Sequence, residues 1–160
     1  MKRIVLFGNS GSGKSTLAKE YASEFKLAHL DLDTLAWEDT TPPERRAFKS
    51  SAKEIDAFQA DHSEWVIEGC YAGLLEYAMR KATEIIFLNP GVKTCVSNAR
   101  SRPWESHKYP SKKAQDDNLS MLLEWIKKYP LRDDEFSLRA HRILYEGFEG
   151  KKKEYTSNLR

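Results

Sequence analysis

The segment Gly8-Asn9-Ser10-Gly11-Ser12-Gly13-Lys14-Ser15 satisfies the pattern G-x-x-x-x-G-K-[ST] at every fixed position. A phosphate chain carries several negative charges and needs donors at fixed points. A tight glycine turn that opens a helix supplies them as converging backbone N–H groups, reinforced by the helix dipole. Gly8, Gly11 and Gly13 permit positive φ and let the backbone come close to a ligand with no Cβ in the way. Lys14 then reaches the outer phosphates, and the Ser15 hydroxyl is suited to Mg2+. With Thr16 directly after the loop and Arg100 further along, these residues form the expected nucleotide-binding set.

Three acids fall at or just past the ends of expected strands: Asp31, Asp33 and Glu68. Mg2+ takes carboxylate and phosphate oxygens and keeps several waters, so Ser15 with Asp31 or Glu68 suffices to hold it. A further carboxylate can orient, or deprotonate, an attacking hydroxyl, which is the role expected of Asp33. The same Asp-Leu-Asp segment also suits a polar strand end or a helix cap.

Phosphoryl transfer needs positive charge around the migrating group and exclusion of water. The polar stretch 101–117 contains Pro103 and Pro110 and has almost nothing to bury, so it is expected to be an exposed lid. Arg100, Arg102, Lys108, Lys112 and Lys113 lie in or beside it, opposed by Glu105. Arg102 is the best catalytic candidate there, because a guanidinium fork matches phosphate oxygens. The lysines read more simply as a solvated loop. Trp37 suits either an acceptor pocket or a core, and Tyr71 is equally ambiguous. The four histidines lack metal-ligand spacing and read as structural or surface residues.

These side chains need a scaffold. Ile4 to Phe7 reads as a buried strand, followed by a helix from Thr16 to Phe25. Ala28 to Asp31, Trp65 to Glu68 and Glu84 to Leu88 are further strands, and Lys153 to Thr156 a weak last one. Helical stripes fall over 44–61, Leu74 to Ala82 and Val92 to Arg100. Two more are marked by Leu119 to Ile126 and by Phe136, Ala140, Ile143 and Leu144. Lys151 to Lys153 reads as a solvated turn. The alternation predicts an α/β fold, a doubly wound parallel sheet of five strands with ligands at the strands' carboxyl ends.

At 160 residues one domain accounts for the chain, and a formal charge of +2 creates no global field for nucleic acid or an anionic membrane. No apolar run approaches the roughly 20 residues of a membrane span, which points to a soluble, cytoplasmic protein. Cys70 and Cys95 lack both C-x-x-C spacing and a secretory context and read as free thiols.

On these segments the chain resembles the P-loop kinase superfamily near its adenylate kinase and shikimate kinase branch. His29 to Leu35 resembles the shikimate kinase segment in which one aspartate serves the metal and the next the acceptor, which implies Asp31 and Asp33 respectively. Trp65 to Tyr71 is similar to the third strand of relatives known as topology modulation proteins. Arg100-Ser101-Arg102-Pro103 resembles the lid arginine segment of small-molecule kinases. The glycine triplet of shikimate kinases and the Asp-Gly-Phe-Pro-Arg segment of adenylate kinases are both missing. So is an Asn-Lys-x-Asp guanine-recognition segment, which favours ATP. The resemblance implies a P-loop, nucleotide kinase-like fold with a short lid, and Mg2+-dependent transfer from ATP to a small hydroxyl- or phosphate-bearing acceptor. The competing expectation is a nucleotide-binding ATPase or regulator that contacts DNA or a protein.

Overall fold

The computed structural model describes residues 1–159. Strands β1 (Arg3–Gly8), β2 (Ala28–Asp31), β3 (Trp65–Gly69), β4 (Glu84–Leu88) and β5 (Lys151–Tyr155) form one sheet in the order β2-β3-β1-β4-β5. Every pairing is parallel, as the expected α/β fold requires. The helices are α1 (Lys14–Phe25), α2 (Phe48–Asp61), α3 (Ala72–Met79), α4 (Val92–Arg100), α5 (Lys112–Lys127) and α6 (Leu138–Gly147). A 3-10 turn (Leu32–Thr34) follows β2.

Strand periodicity divides the core between the two faces of the sheet. Val5, Phe7, Trp65, Ile67, Ile85 and Phe87 pack with Ile55, Leu74, Leu75 and Leu144 on one face. Ile4, Leu6, Val66, Ile86 and Leu88 pack with Leu17 and Ala18 of α1 on the other. Glu68 is two residues past Val66, so it faces α1, and the register Asp31↔Glu68 aligns two of the expected acids.

Four sequence readings change. Helix α2 begins at Phe48 rather than at 44, because Trp37 and Arg45 form an antiparallel bridge and Arg46 N–H donates to the Ala36 carbonyl. The stretch expected as a lid is irregular only to Ser111. Residues 112–117 are the first turns of α5, with Ser111 Oγ accepting from Ala114 N–H and Lys112–Asp116 and Lys113–Asp117 pairs along its surface. Lys151 to Lys153 is not a turn but the start of β5, an edge strand whose exposed lysines disfavour pairing with another chain. Ile143, expected on the apolar stripe of α6, is 61% exposed, while His141 and Leu144 face inward.

Candidate active site

The loop between β1 and α1 wraps tightly. Gly11 has φ 79° and lies so close to α4 that a Cβ there would stand 2.3 Å from the Cys95 carbonyl oxygen. Gly13 has φ 97° and precedes α1 with no side chain capping the helix, so the first-turn N–H groups of α1 are left for an external acceptor. The Ser12 hydroxyl, also in the loop, is buried without a hydrogen-bond partner. Lys14 Nζ donates to the Asn9 carbonyl (2.8 Å), and Asn9 Nδ2 donates to the Ile126 carbonyl (3.3 Å). A strand end, a loop and two distant helices thus hold a concave set of donors, which fits a chain of phosphate oxygens.

At the ends of β2 and β3 the acids converge. Glu68, almost wholly buried, accepts from Ser15 Oγ through Oε1 (2.9 Å) and from His29 Nε2 through Oε2 (2.8 Å). Asp31 Oδ1 accepts from Asp33 N–H (2.9 Å), which shapes the 3-10 turn. Burial first, then the carboxylates of Glu68 and Asp33, push Asp31 up to about 6. Asp33 behaves oppositely. Burial pulls it upward too, but the Lys108 ammonium and the Tyr71 hydroxyl outweigh that pull and hold it below the usual carboxylate value. Tyr71 OH donates to Asp33 Oδ1 (2.5 Å) and accepts from Trp37 Nε1 (2.9 Å).

Segment 101–111 lies opposite these acids. Lys108 Nζ is 3.0 Å from Asp33 and 3.4 Å from Glu105, and Arg102 Nη1 is 2.9 Å from Glu105. A cavity of about 540 Å³ is lined by Ser10, Gly11, Gly13, Lys14, Ser15 and Thr16 at one end. Asp31, Asp33, Glu68, Arg102 and Lys108 also line it, as do several aromatic side chains. The volume lies in the range of small-ligand sites. Gly8, Asn9 and Ser12 are the buried residues of the loop that do not line the cavity. Arg100, expected beside the nucleotide, is exposed at the end of α4 and is not among the cavity-lining residues.

Three residues of this arrangement have no settled role in the sequence. Lys108 looked like one lysine among several in a polar loop, Tyr71 could not be told from a core residue, and His29 lacked metal-ligand spacing. Each gains its place through a contact distant in sequence, with Asp33 or Glu68. Among the described residues no group of three or more His, Cys, Asp and Glu side chains could hold a metal ion by itself. Ser15, Asp31 and Glu68 bring side-chain oxygens to the cavity, a set that fits Mg2+ sharing its shell with phosphate and water.

A central β1, the glycine loop after it, and acids at neighbouring strand ends define the fold of P-loop small-molecule kinases. The AAA domain family model matches residues 4–112, and the chain belongs to that family. A gluconokinase from Sinorhizobium meliloti 1021 superposes with a TM-score of 0.54 at 16% identity, covering 99% of this chain and 83% of its own. A shikimate kinase from Bacteroides thetaiotaomicron gives 0.51 at 18% identity over 91% and 97%. A sugar kinase from Janibacter sp. HTCC2649 gives 0.51 at 13% identity over 97% and 84%. At such identities these likenesses establish the fold. No curated protein matches the sequence. Among the described residues no helix is long and apolar enough to cross a membrane.

Proposed function

We propose that the protein transfers the γ phosphoryl group of ATP to a hydroxyl or phosphate oxygen of a small molecule, with Mg2+ as cofactor. One observation carries the reading: the 8–15 loop, the strand-end acids and the cations of segment 101–111 open onto one cavity. A switch or motor needs the loop, but not a carboxylate flanked by cations on the far side of the cavity.

The loop amides and Lys14 hold the phosphates, the lysine leaving the Asn9 carbonyl to do so. Ser15 offers its hydroxyl to the metal, Glu68 orients that hydroxyl, and Asp31 stands beside them. Bound Mg2+ would supply charge neutralisation at the β and γ phosphate oxygens. Asp33, kept ionised, accepts a hydrogen bond from the acceptor hydroxyl and aligns its oxygen. That oxygen forms the new P–O bond as the bridging oxygen leaves with ADP, and its proton passes to Asp33. Arg102 and Lys108, on a lid that shields the reaction from water, stabilise the charge on the migrating group.

The test is ADP formation with and without a panel of nucleosides, nucleotides and hydroxylated metabolites, in the parent protein and in Lys14→Ala. Acceptor-dependent turnover that the variant lacks is expected. Unchanged activity in Lys14→Ala, or acceptor-independent turnover stimulated by DNA, overturns the reading.

A further inference from the structure

Beyond the phosphate loop the cavity wall is aromatic and acidic. Trp37 Nε1 donates to Tyr71 OH (2.9 Å), Tyr71 meets Phe136 edge to face (5.3 Å between centroids), and Phe136 meets Trp125 in the same way (5.4 Å). All four rings line the cavity that Asp33 lines. Trp37 is 39% exposed and offers a face to a ligand, whereas Trp125 carries the Arg132 guanidinium over its ring at 3.7 Å and closes the arc from behind. With its N–H already given to Tyr71, the Trp37 indole presents an apolar, polarisable face, which suits the apolar face of a ring.

The charges at this end decide what kind of ring-bearing molecule fits. Arg102 and Lys108 already face Glu105, and Lys108 also faces Asp33. Arg45, stacked over the Tyr71 ring at 4.8 Å, is 2.9 Å from Glu135. These nearby cations are thus matched to carboxylates of the protein. An acceptor that brought its own carboxylate or phosphate would meet Asp33 and Glu105 as like charges and would have to displace one of these pairs. Hydroxyl groups suit the same carboxylates as donors to acceptors.

We infer that the acceptor is an uncharged polyhydroxylated molecule with an apolar ring face, a sugar-like ring or a nucleoside, seated between the aromatic arc and Asp33. The inference rests on the phosphotransfer reading and narrows it to one substrate class. Glu105 then acts as a specificity residue: its carboxylate repels an anionic acceptor, while Arg102 and Lys108 turn to the migrating phosphoryl group when it is bound.

The experiment compares matched acceptors at fixed ATP: glucose with gluconate and glucose 6-phosphate, ribose with ribose 5-phosphate, and adenosine with AMP. Each is read by ADP formation and by tryptophan fluorescence in the presence of a non-hydrolysable ATP analogue. A neutral member is expected to exceed its charged partners in kcat/KM by about tenfold or more, and the sugar and nucleoside arms identify which ring is used. Trp37→Phe should raise KM for that acceptor and leave KM for ATP unchanged. Glu105→Gln should shift the ratio toward the charged partner. Preference for a carboxylate or phosphate member, or no saturable response to any neutral member, overturns the inference. Preference for a charged member that Lys14→Ala abolishes overturns the acceptor class alone, whereas turnover that depends on no acceptor overturns the kinase reading itself.

Discussion

Lys108 Nζ lies 3.0 Å from Asp33 Oδ2, joining segment 101–111 to the turn after β2 across the mouth of the cavity. Asp33 lowers the energy of the charged lysine and raises its pKa despite burial, while Lys108 helps keep Asp33 ionised. Lys108→Met should therefore loosen the lid and lower kcat by about tenfold or more, with ATP affinity close to that of the parent. Hydrogen exchange should rise over 101–111. Unchanged exchange there would mean that the pair does not hold the lid.

Glu68 receives both Ser15 Oγ and His29 Nε2. Glu68→Ala removes the acceptor of both donors at the half-buried wall of the cavity and should cost about 1 kcal/mol of stability. Activity should also need more Mg2+, since Ser15 is no longer oriented. Denaturant titration and a Mg2+ dependence of turnover measure the two effects, and an unaltered Mg2+ requirement would remove Glu68 from the metal side of the site.

Gly11 cannot accept a side chain without moving α4 or the loop. Gly11→Ala at φ 79° should cost about 1–3 kcal/mol of stability and weaken ATP binding by more than its stability loss accounts for. Calorimetric ATP binding compared with thermal unfolding separates the two effects.

His141 is fully buried, and Phe7 and Phe87 pack edge to face against its ring. Its Nε2–H donates to the Cys70 carbonyl (2.8 Å), and Nδ1 accepts from Tyr129 OH (2.6 Å). Burial holds it down at about 4, below the ordinary 6.5. Between those values the unfolded chain binds more protons than the folded one, so stability rises with pH. The contribution is complete above about pH 6.5 and is lost as pH falls toward 4, with a limiting slope of about 1.4 kcal/mol per pH unit. Asp31, raised to about 6, contributes with the opposite sign between about pH 4 and 6, so the His141 slope is read as the difference between the parent and His141→Gln in urea unfolding from pH 7.5 to 4.5.

The strands and the glycine loop were readable because their signals are local. Ile4 to Phe7 and Ile85 to Leu88 are apolar runs buried on both faces of the sheet, and the loop glycines mark the turn between β1 and α1. The start of α5 escaped because Lys112 to Asp117 contains only Ala114 among apolar types, so no stripe marks it. Ser111 and two surface ion pairs support it instead. The acids at 31, 33 and 68 could be expected at strand ends, but the opposite pKa shifts of Asp31 and Asp33 could not. Those follow from Lys108, Tyr71 and the cross-strand register, which only the folded chain brings together.

The position of β1 in the middle of the sheet also bears on how the chain reaches this state. Its register partners in β3 are made about sixty residues later, those in β4 about eighty, and β5 later still. At about 5–20 residues per second on a ribosome, the strand leading into the glycine loop waits several seconds as an unpaired apolar segment. Such distant pairing slows folding and leaves hydrophobic strand edges uncovered meanwhile. Both sides of β1 are therefore covered only once Glu84 to Leu88, as well as Trp65 to Gly69, has emerged.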